Sequence, residues 1–193
     1  MHRRRAAGGI ATLAVLTLAT GACSSGRTST QQVAASEIGD GAVRHALEPV
    51  VARLGLQIQR LSVEKTTGLH PEYELSVYLR PPKSISPDAY AAKIAPVAQA
   101  VIPTSFAKYD DIQWVDVCQE QAGTPDGVDY AAPVTRLEVN RRDAANVDWD
   151  HLELADVLKL YRSAPNEVSL QTSGGVDRTR AWRAAAAQAR PPA

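Results

Sequence analysis

Aromatic residues are scarce in this sequence, which has three Trp, six Tyr and one Phe among 193 residues. A hydrophobic core must therefore be built mainly from Val, Leu, Ile and Ala. The hydrophobic fraction of 45% and the charged fraction of 22% are nevertheless typical of a globular protein rather than a disordered one. The length allows one ordinary domain plus short appendages.

Motifs for catalysis and ligand binding are also lacking. The sequence contains no G-x-S-x-G nucleophile elbow, no P-loop and no dinucleotide-binding fingerprint. His45, His70 and His151 follow the N-terminal region, and no two of them have the short spacing of metal ligands. Asp148 and Asp150 lie where acids stabilise the start of a helix, without the rest of a calcium loop. The sequence therefore identifies no catalytic residue, and we expect no metal site and no cofactor.

An excess of basic charge is absent as well. Lys and Arg total 21, and Asp and Glu also total 21. The first 22 residues hold three of the arginines and no acid, so 18 basic and 21 acidic side chains follow them, a net charge of −3. Because a weakly acidic chain lacks the basic face that binds a phosphate backbone, nucleic acid is not expected as a partner.

The N-terminus carries the strongest motif. Residues 2–5 are basic, residues 10–19 are apolar except for two threonines, and residues 20–23 are small. This order is typical of a secretory signal peptide. The apolar stretch is shorter than the about 20 residues that span a bilayer, and the positive end stays on the cytoplasmic side. We therefore expect residues 1–22 to be a signal peptide and the remainder to be exported.

The end of this segment is Gly21-Ala22-Cys23, and it resembles the lipobox of bacterial lipoproteins, in which small residues precede an invariant cysteine. Thr20 stands where leucine is usual in that family. Because Arg outnumbers Lys by 16 to five, the whole resembles lipoproteins of the actinobacterial type. The resemblance implies diacylglyceryl and palmitate groups on Cys23 and an anchor in the cell membrane at its extracytoplasmic face. The alternatives are a soluble secreted protein with an incidental cysteine and an uncleaved membrane anchor.

The remaining chain divides into three parts by composition. Residues 23–36 comprise the lipidated cysteine and a polar linker, in which Gly, Ser and Thr favour flexibility. Residues 37–172 form a single folded domain in this prediction. Residues 173–193 are rich in Ala and Arg and are predicted to be a tail.

Hydrophobic periodicity predicts the first elements of the domain. Apolar residues recur at helical spacing from Val43 to Leu54, and Gly55 would end this helix. Residues 56–65 and 74–80 are rich in alternating apolar residues and predict two strands of an antiparallel hairpin. The alternation slips within the first of these strands, which predicts a β-bulge.

The second half of the domain repeats this mixture of helices and strands. Ser86 followed by proline predicts the start of a second helix, which Pro103 would end. Asp150 with Glu153 predicts a capping box at the start of a third helix. Further strands are predicted at 112–119, 134–141 and 167–171. The fold class is therefore α+β, with a mainly antiparallel sheet of four to five strands and about three helices packed on one face.

Two aromatic residues and one cysteine are candidates for function. Tyr78 falls on the polar face of its strand, where a partner or lipid could dock, although cross-strand packing is the alternative. Trp182 lies among Arg178, Arg180 and Arg183 in the tail, which would suit an anionic membrane or wall polymer, or a partly disordered end. Cys118 has no partner within the chain if Cys23 is lipidated, so it is a buried structural thiol, a nucleophile or an intermolecular disulfide partner.

Two functional hypotheses follow from these observations. The first is a non-enzymatic binding or assembly module at the membrane, which recognises an envelope protein or an amphiphilic ligand. The second is a small cell-wall hydrolase or transferase whose acids are distant in sequence. We favour binding, because no catalytic motif is present. A cleft with convergent titratable groups would favour the enzyme, whereas a flat apolar patch or an apolar cavity would favour binding.

Overall fold

A computed structural model of the protein describes residues 31–32, 40–65, 72–122 and 133–190. Within these residues, six strands form one sheet in sequential order. The strands are β1 (Gln31–Gln32), β2 (Gln57–Lys65), β3 (Tyr73–Arg80), β4 (Ile112–Gln119), β5 (Thr135–Asn140) and β6 (Val168–Thr172). The helices are α1 (Asp40–Arg53), α2 (Pro87–Lys108), α3 (Arg141–Ala144), α4 (Leu154–Ser163) and α5 (Arg180–Gln188). The predicted signal peptide and Cys23 lie outside the described residues.

The sheet is mixed but mainly antiparallel. All neighbouring strands are antiparallel except β3 and β4, which run parallel. Parallel strands cannot be joined by a tight turn, and α2 supplies the crossover between them. The predicted hairpin of β2 and β3 is present, and its register shifts between Ile58 and Arg60, as expected for a bulge. The α+β class and the antiparallel character of most of the sheet are therefore confirmed.

The core lies between one face of the sheet and the helices. In β3, alternate residues Leu75, Val77 and Leu79 are fully buried, and Val115 and Val117 of β4 lie beside them. Helix α2 contributes ten buried residues and packs against α1, α4 and α5. The buried side chains are mostly aliphatic or alanine, in agreement with the scarcity of aromatic residues.

The predicted end of the second helix is wrong, because α2 continues through Pro103 to Lys108. Proline inside a helix removes a backbone hydrogen bond and costs about 3 kcal/mol. Ile102 and Phe106, on either side of that proline, are buried in the core at 0% and 8% exposure. Burying two such side chains stabilises the fold by about 1.5–3 kcal/mol each, which outweighs the cost of the proline.

The start of the third predicted helix also differs. Residues Trp149–His151 form a single 3-10 turn, and α4 begins three residues later. Glu153 is its N-cap, and Asp156 accepts a hydrogen bond from the Glu153 backbone at 3.1 Å. Leu152 separates the turn from the helix; its backbone is extended, with ψ at 123°, and its side chain is buried at 7% exposure.

Both ends of the predicted domain carry additional structure. The two residues of β1 lie within the predicted linker and pair with the end of β2. The segment after residue 172, predicted as a tail, folds into a 3-10 turn and α5, and Val176, Ala185 and Ala189 are buried. Small alanine side chains let α5 pack closely against α2 and α4, which explains why an alanine-rich sequence is ordered here.

Candidate functional site

A cavity of about 250 Å³ lies at the carboxyl ends of the two parallel strands. In sheets with parallel strands and crossover helices, this end is where ligands commonly bind. Its wall combines the loop after β3, the start of α2, the end of β4 and the loops that flank β5 and β6. The described lining residues are Ser84, Ile85, Pro87, Tyr90, Gln121, Ala122, Val134 and Gly174.

The start of α2 forms one side of the cavity, and the backbone donors of Ala89 and Tyr90 are already used. Ser86 is the N-cap, and its hydroxyl oxygen accepts a hydrogen bond from the Ala89 backbone at 3.2 Å. The Tyr90 backbone N–H donates to the Ser86 carbonyl at 3.1 Å, and Pro87 has no N–H to offer. Asp88 adds a negative charge in the first turn. This helix start therefore does not suit an anionic ligand.

Hydrogen bonds made by Tyr90 and Gln119 hold the wall of the cavity in place. The Tyr90 hydroxyl donates to the Glu120 carbonyl at 3.0 Å, and burial raises the pKa of this phenol, so it stays protonated. The Gln119 side chain is fully buried and donates to the Thr135 hydroxyl at 2.7 Å. The Val134 backbone donates to the Gln119 carbonyl at 2.8 Å. These bonds join α2, β4 and β5 and hold the wall in one geometry.

The described part of the wall is uncharged. Among the described lining residues, none carries a charged side chain. Ile85, Pro87 and Val134 supply apolar surface, whereas Ser84 and Gln121 supply polar groups. An apolar wall with a few fixed polar groups is typical of sites for small organic molecules. The cavity therefore suits a small, neutral, amphiphilic ligand.

A second group of polar residues lies on the face of the sheet opposite the helices. It consists of Glu74, Asp116, Arg136 and Glu138, here called the Arg136 cluster. The Arg136 Nε atom lies 2.9 Å from Asp116 Oδ2, as an ion pair without hydrogen-bond alignment. Its Nη2 atom lies 3.7 Å from Glu74 Oε1 and 3.9 Å from Glu138 Oε2. One guanidinium group thus faces three carboxylates from three neighbouring strands.

Burial and mutual repulsion dominate the electrostatics of the Arg136 cluster. The pKa of Glu74 is raised to about 7, first by burial and then by Glu138 and Asp116, against the opposing effect of Arg136. The pKa of Asp116 is also raised, because its burial at 1% exposure outweighs the attraction of Arg136. Cys118 is a free, buried thiol, and burial together with Asp116 raises its pKa. This thiol therefore remains protonated and a poor nucleophile.

The raised pKa of Glu74 predicts a stability that falls as the pH rises. The ordinary pKa of this carboxyl group is 4.5, and its pKa in the folded state is about 7. Between these two pH values the folded protein keeps a proton that the unfolded protein has lost. We expect the free energy of unfolding to decrease by on the order of 2–3 kcal/mol across this range. In Glu74→Gln this decrease should be smaller, with Asp116 still contributing in the same direction, as measured by urea unfolding at several pH values. The exposed Glu48→Gln is the control, and an equal pH dependence in all three proteins would contradict the prediction.

Tyr78 and Trp182, the binding candidates selected from the sequence, are not among the described lining residues of the cavity. Tyr78 is half-buried in β3 and pairs with Arg60 of β2 and Cys118 of β4. The centroid of its ring lies 3.9 Å from the guanidinium carbon of Arg60. Trp182 is half-buried in α5, and its backbone N–H donates to the Thr179 hydroxyl at 3.2 Å. The sequence analysis missed the cavity, because its lining comes from four separate segments with no common motif.

The described part of the chain contains no group of three or more His, Cys, Asp or Glu side chains arranged to hold a metal ion. No helix within it is long and apolar enough to span a bilayer. Comparisons of the chain with protein-family models, curated proteins and solved structures find no match.

Proposed function

We propose that the protein is a membrane-anchored cell-envelope lipoprotein whose domain binds a small, neutral, amphiphilic molecule in the cavity at the carboxyl ends of β3 and β4. The observation that carries the binding role is the cavity itself, with its neutral described lining and its wall fixed by Tyr90 and Gln119. The resemblance of residues 1–23 to a lipoprotein signal peptide supports the anchor.

Binding accounts for the cavity better than hydrolysis or group transfer does. A nucleophilic hydroxyl needs a general base within hydrogen-bond reach. The described lining offers the hydroxyls of Ser84 and Tyr90 and includes no histidine or carboxylate, and the Tyr90 hydroxyl already donates to the Glu120 carbonyl. The carboxylates of the Arg136 cluster lie on the opposite face of the sheet and are held by a guanidinium group. The acids and the cavity therefore do not converge on one reacting atom.

The anchor would give this binding site an advantage. A lipid on Cys23 would be separated from β1 by only seven residues, which span at most about 25 Å when extended. The domain would then stay close to the bilayer, attached at the end of the sheet where β3 begins. Amphiphilic molecules concentrate there, so a site of modest affinity would be occupied.

Phenylacetamide and phenylacetate are a suitable probe pair, since they have the same shape and differ in charge. We expect saturation-transfer NMR on the acylated protein in micelles to detect phenylacetamide, with phenylacetate bound at least about fivefold more weakly, a difference of about 1 kcal/mol. Ser84→Trp should block the exposed rim of the cavity and weaken amide binding by about tenfold or more.

Ser163→Trp is the matched control, because Ser163 is also exposed but lies at the end of α4. It should bind the amide as the wild type does. Equal binding of both probes, or no effect of Ser84→Trp, would place the ligand site elsewhere.

A further inference from the structure

Charge is unevenly distributed along the chain. Residues 176–190 contain four arginines and one aspartate, a net charge of +3. Residues 23–175 contain 14 basic and 20 acidic side chains, a net charge of −6. A molecule that is acidic as a whole therefore carries a short, strongly basic segment. Because this segment is folded, its charges have fixed positions.

Helix α5 presents these arginines on its outer side. Arg180, Arg183 and Arg190 are exposed, whereas Ala185 and Ala189 face the core. Arg180 and Arg183 lie three positions apart and share one side of α5, Arg178 precedes the helix and Arg190 follows its end, and these four exposed residues are here called the arginine row. The apolar side of α5 is used within the protein, which leaves charge as the main feature of its outer surface.

The arginines of this segment have no acidic partners in the described part of the chain. Arg178, Arg180, Arg183 and Arg190 form no ion pair there, unlike Arg44 of α1, Arg136 of β5 and Arg142 of α3. Arg183 contacts only the Thr179 carbonyl of its own helix start, at 3.4 Å. This row of unpaired positive charge is complementary to a negatively charged surface.

We propose that the outer face of α5 is a second membrane contact, which docks on the anionic headgroups of phospholipids. The proposal rests on the lipid anchor of the proposed function, because the anchor holds the domain at the bilayer. The reach of about 25 Å from Cys23 to β1 is about two helix diameters, enough for the helix layer to lie against the membrane. The contact is electrostatic, so it depends on lipid charge and on salt.

The test measures the distance of α5 from the bilayer in the acylated full-length protein. A fluorescent donor is attached to Ala187→Cys, an exposed position of α5 between Arg183 and Arg190, and the acceptor is a labelled lipid. Cys118 is buried and protonated, so it does not compete for the label. Vesicles of phosphatidylcholine are compared with vesicles that also contain phosphatidylglycerol.

We expect energy transfer from position 187 to be higher in the vesicles with phosphatidylglycerol and to fall to the neutral-vesicle level at about 1 M salt, where the Debye length is about 3 Å. A donor at Gln171→Cys, exposed on β6, should show no such increase. Arg180→Gln/Arg183→Gln should lower the ratio of docked to undocked protein about thirtyfold, or about fivefold for each arginine. Arg53→Gln/Lys108→Gln changes the net charge equally at exposed positions elsewhere and should have little effect.

Equal transfer from position 187 in both vesicle types would overturn the proposal. So would equal effects of the two charge variants. Binding to soluble polyphosphate without vesicle docking would also overturn it and would indicate a wall polymer instead. A failure of the anchor is distinguishable, because the protein would then be retained on neither vesicle type at high salt.

Discussion

Replacing Arg136 with methionine is expected to lower the free energy of unfolding by about 3–5 kcal/mol near neutral pH, the cost of leaving a buried charge without its partner. Arg136 is the guanidinium group that faces Glu74, Asp116 and Glu138. Without it, three carboxylates would share a buried surface with no cation from the cluster. Urea unfolding followed by circular dichroism measures this loss.

The destabilisation should shrink as the pH is lowered. Protonation removes the repulsion among the carboxylates, and the pKa values of Glu74 and Asp116 are already raised in the wild type. Without Arg136, which lowers both pKa values, the folded state should take up protons at still higher pH. Its stability relative to the wild type should therefore recover as acid is added.

Arg142→Met is the matched control for this prediction. Arg142 also forms an ion pair, with Glu167, but its side chain is 72% exposed. Exposed ion pairs contribute about 0–1 kcal/mol, so this variant should lose less than about 1 kcal/mol. Similar small losses in the two variants would mean that the Arg136 cluster does not hold the sheet together.

The elements that the sequence predicted well are those with local causes. Alternation in β3 places Leu75, Val77 and Leu79 on one face, and all three are buried. The Ser86-Pro87 start of α2 depends on neighbours within one helical turn, and the Ser86 cap is present in the structure. Hairpin pairing of β2 and β3 also follows from two adjacent strands and a short connection.

The features that the sequence did not predict depend on distant contacts. The parallel pairing of β3 and β4 requires α2 to cross one face of the sheet, and the predicted strand–helix–strand order does not by itself fix which strands become neighbours. Pro103 is tolerated only because Ile102 and Phe106 are buried on either side. The order of α5 depends on its contacts with α2 and α4, including the bond from the Ala181 backbone to Asp88 at 3.1 Å.

The candidate sites differ in how visible they are in the sequence. Asp116 and Cys118 alternate with buried valines in β4, so their common face could be read from the sequence. Their proximity to Arg136 depends on the strand register, which places Cys118 opposite Arg136. The cavity has no such signal, because Ser84, Tyr90 and Val134 approach each other only in the folded chain.

Replacing Cys23 with alanine is expected to abolish lipid attachment. The lipobox resemblance implies that acylation of this sulfur precedes cleavage, so the variant should accumulate as a precursor that retains residues 1–22. Metabolic labelling with palmitate should mark the wild type and leave the variant unlabelled. The N-terminal peptide of the mature wild type should begin at an acylated Cys23 in a mass spectrum.

Cys118→Ala separates this effect from the general loss of a cysteine. Cys118 is buried at 1% exposure, so its replacement should change stability slightly and leave the lipid label intact. Two acyl chains make a stable anchor at about 0.8 kcal/mol for each buried methylene group, whereas one chain binds marginally. The labelled proteins should therefore partition into the detergent phase of an extraction. If the mature wild type instead starts at another residue and partitions into water, the anchor is excluded, and the cavity would be that of a soluble exported protein.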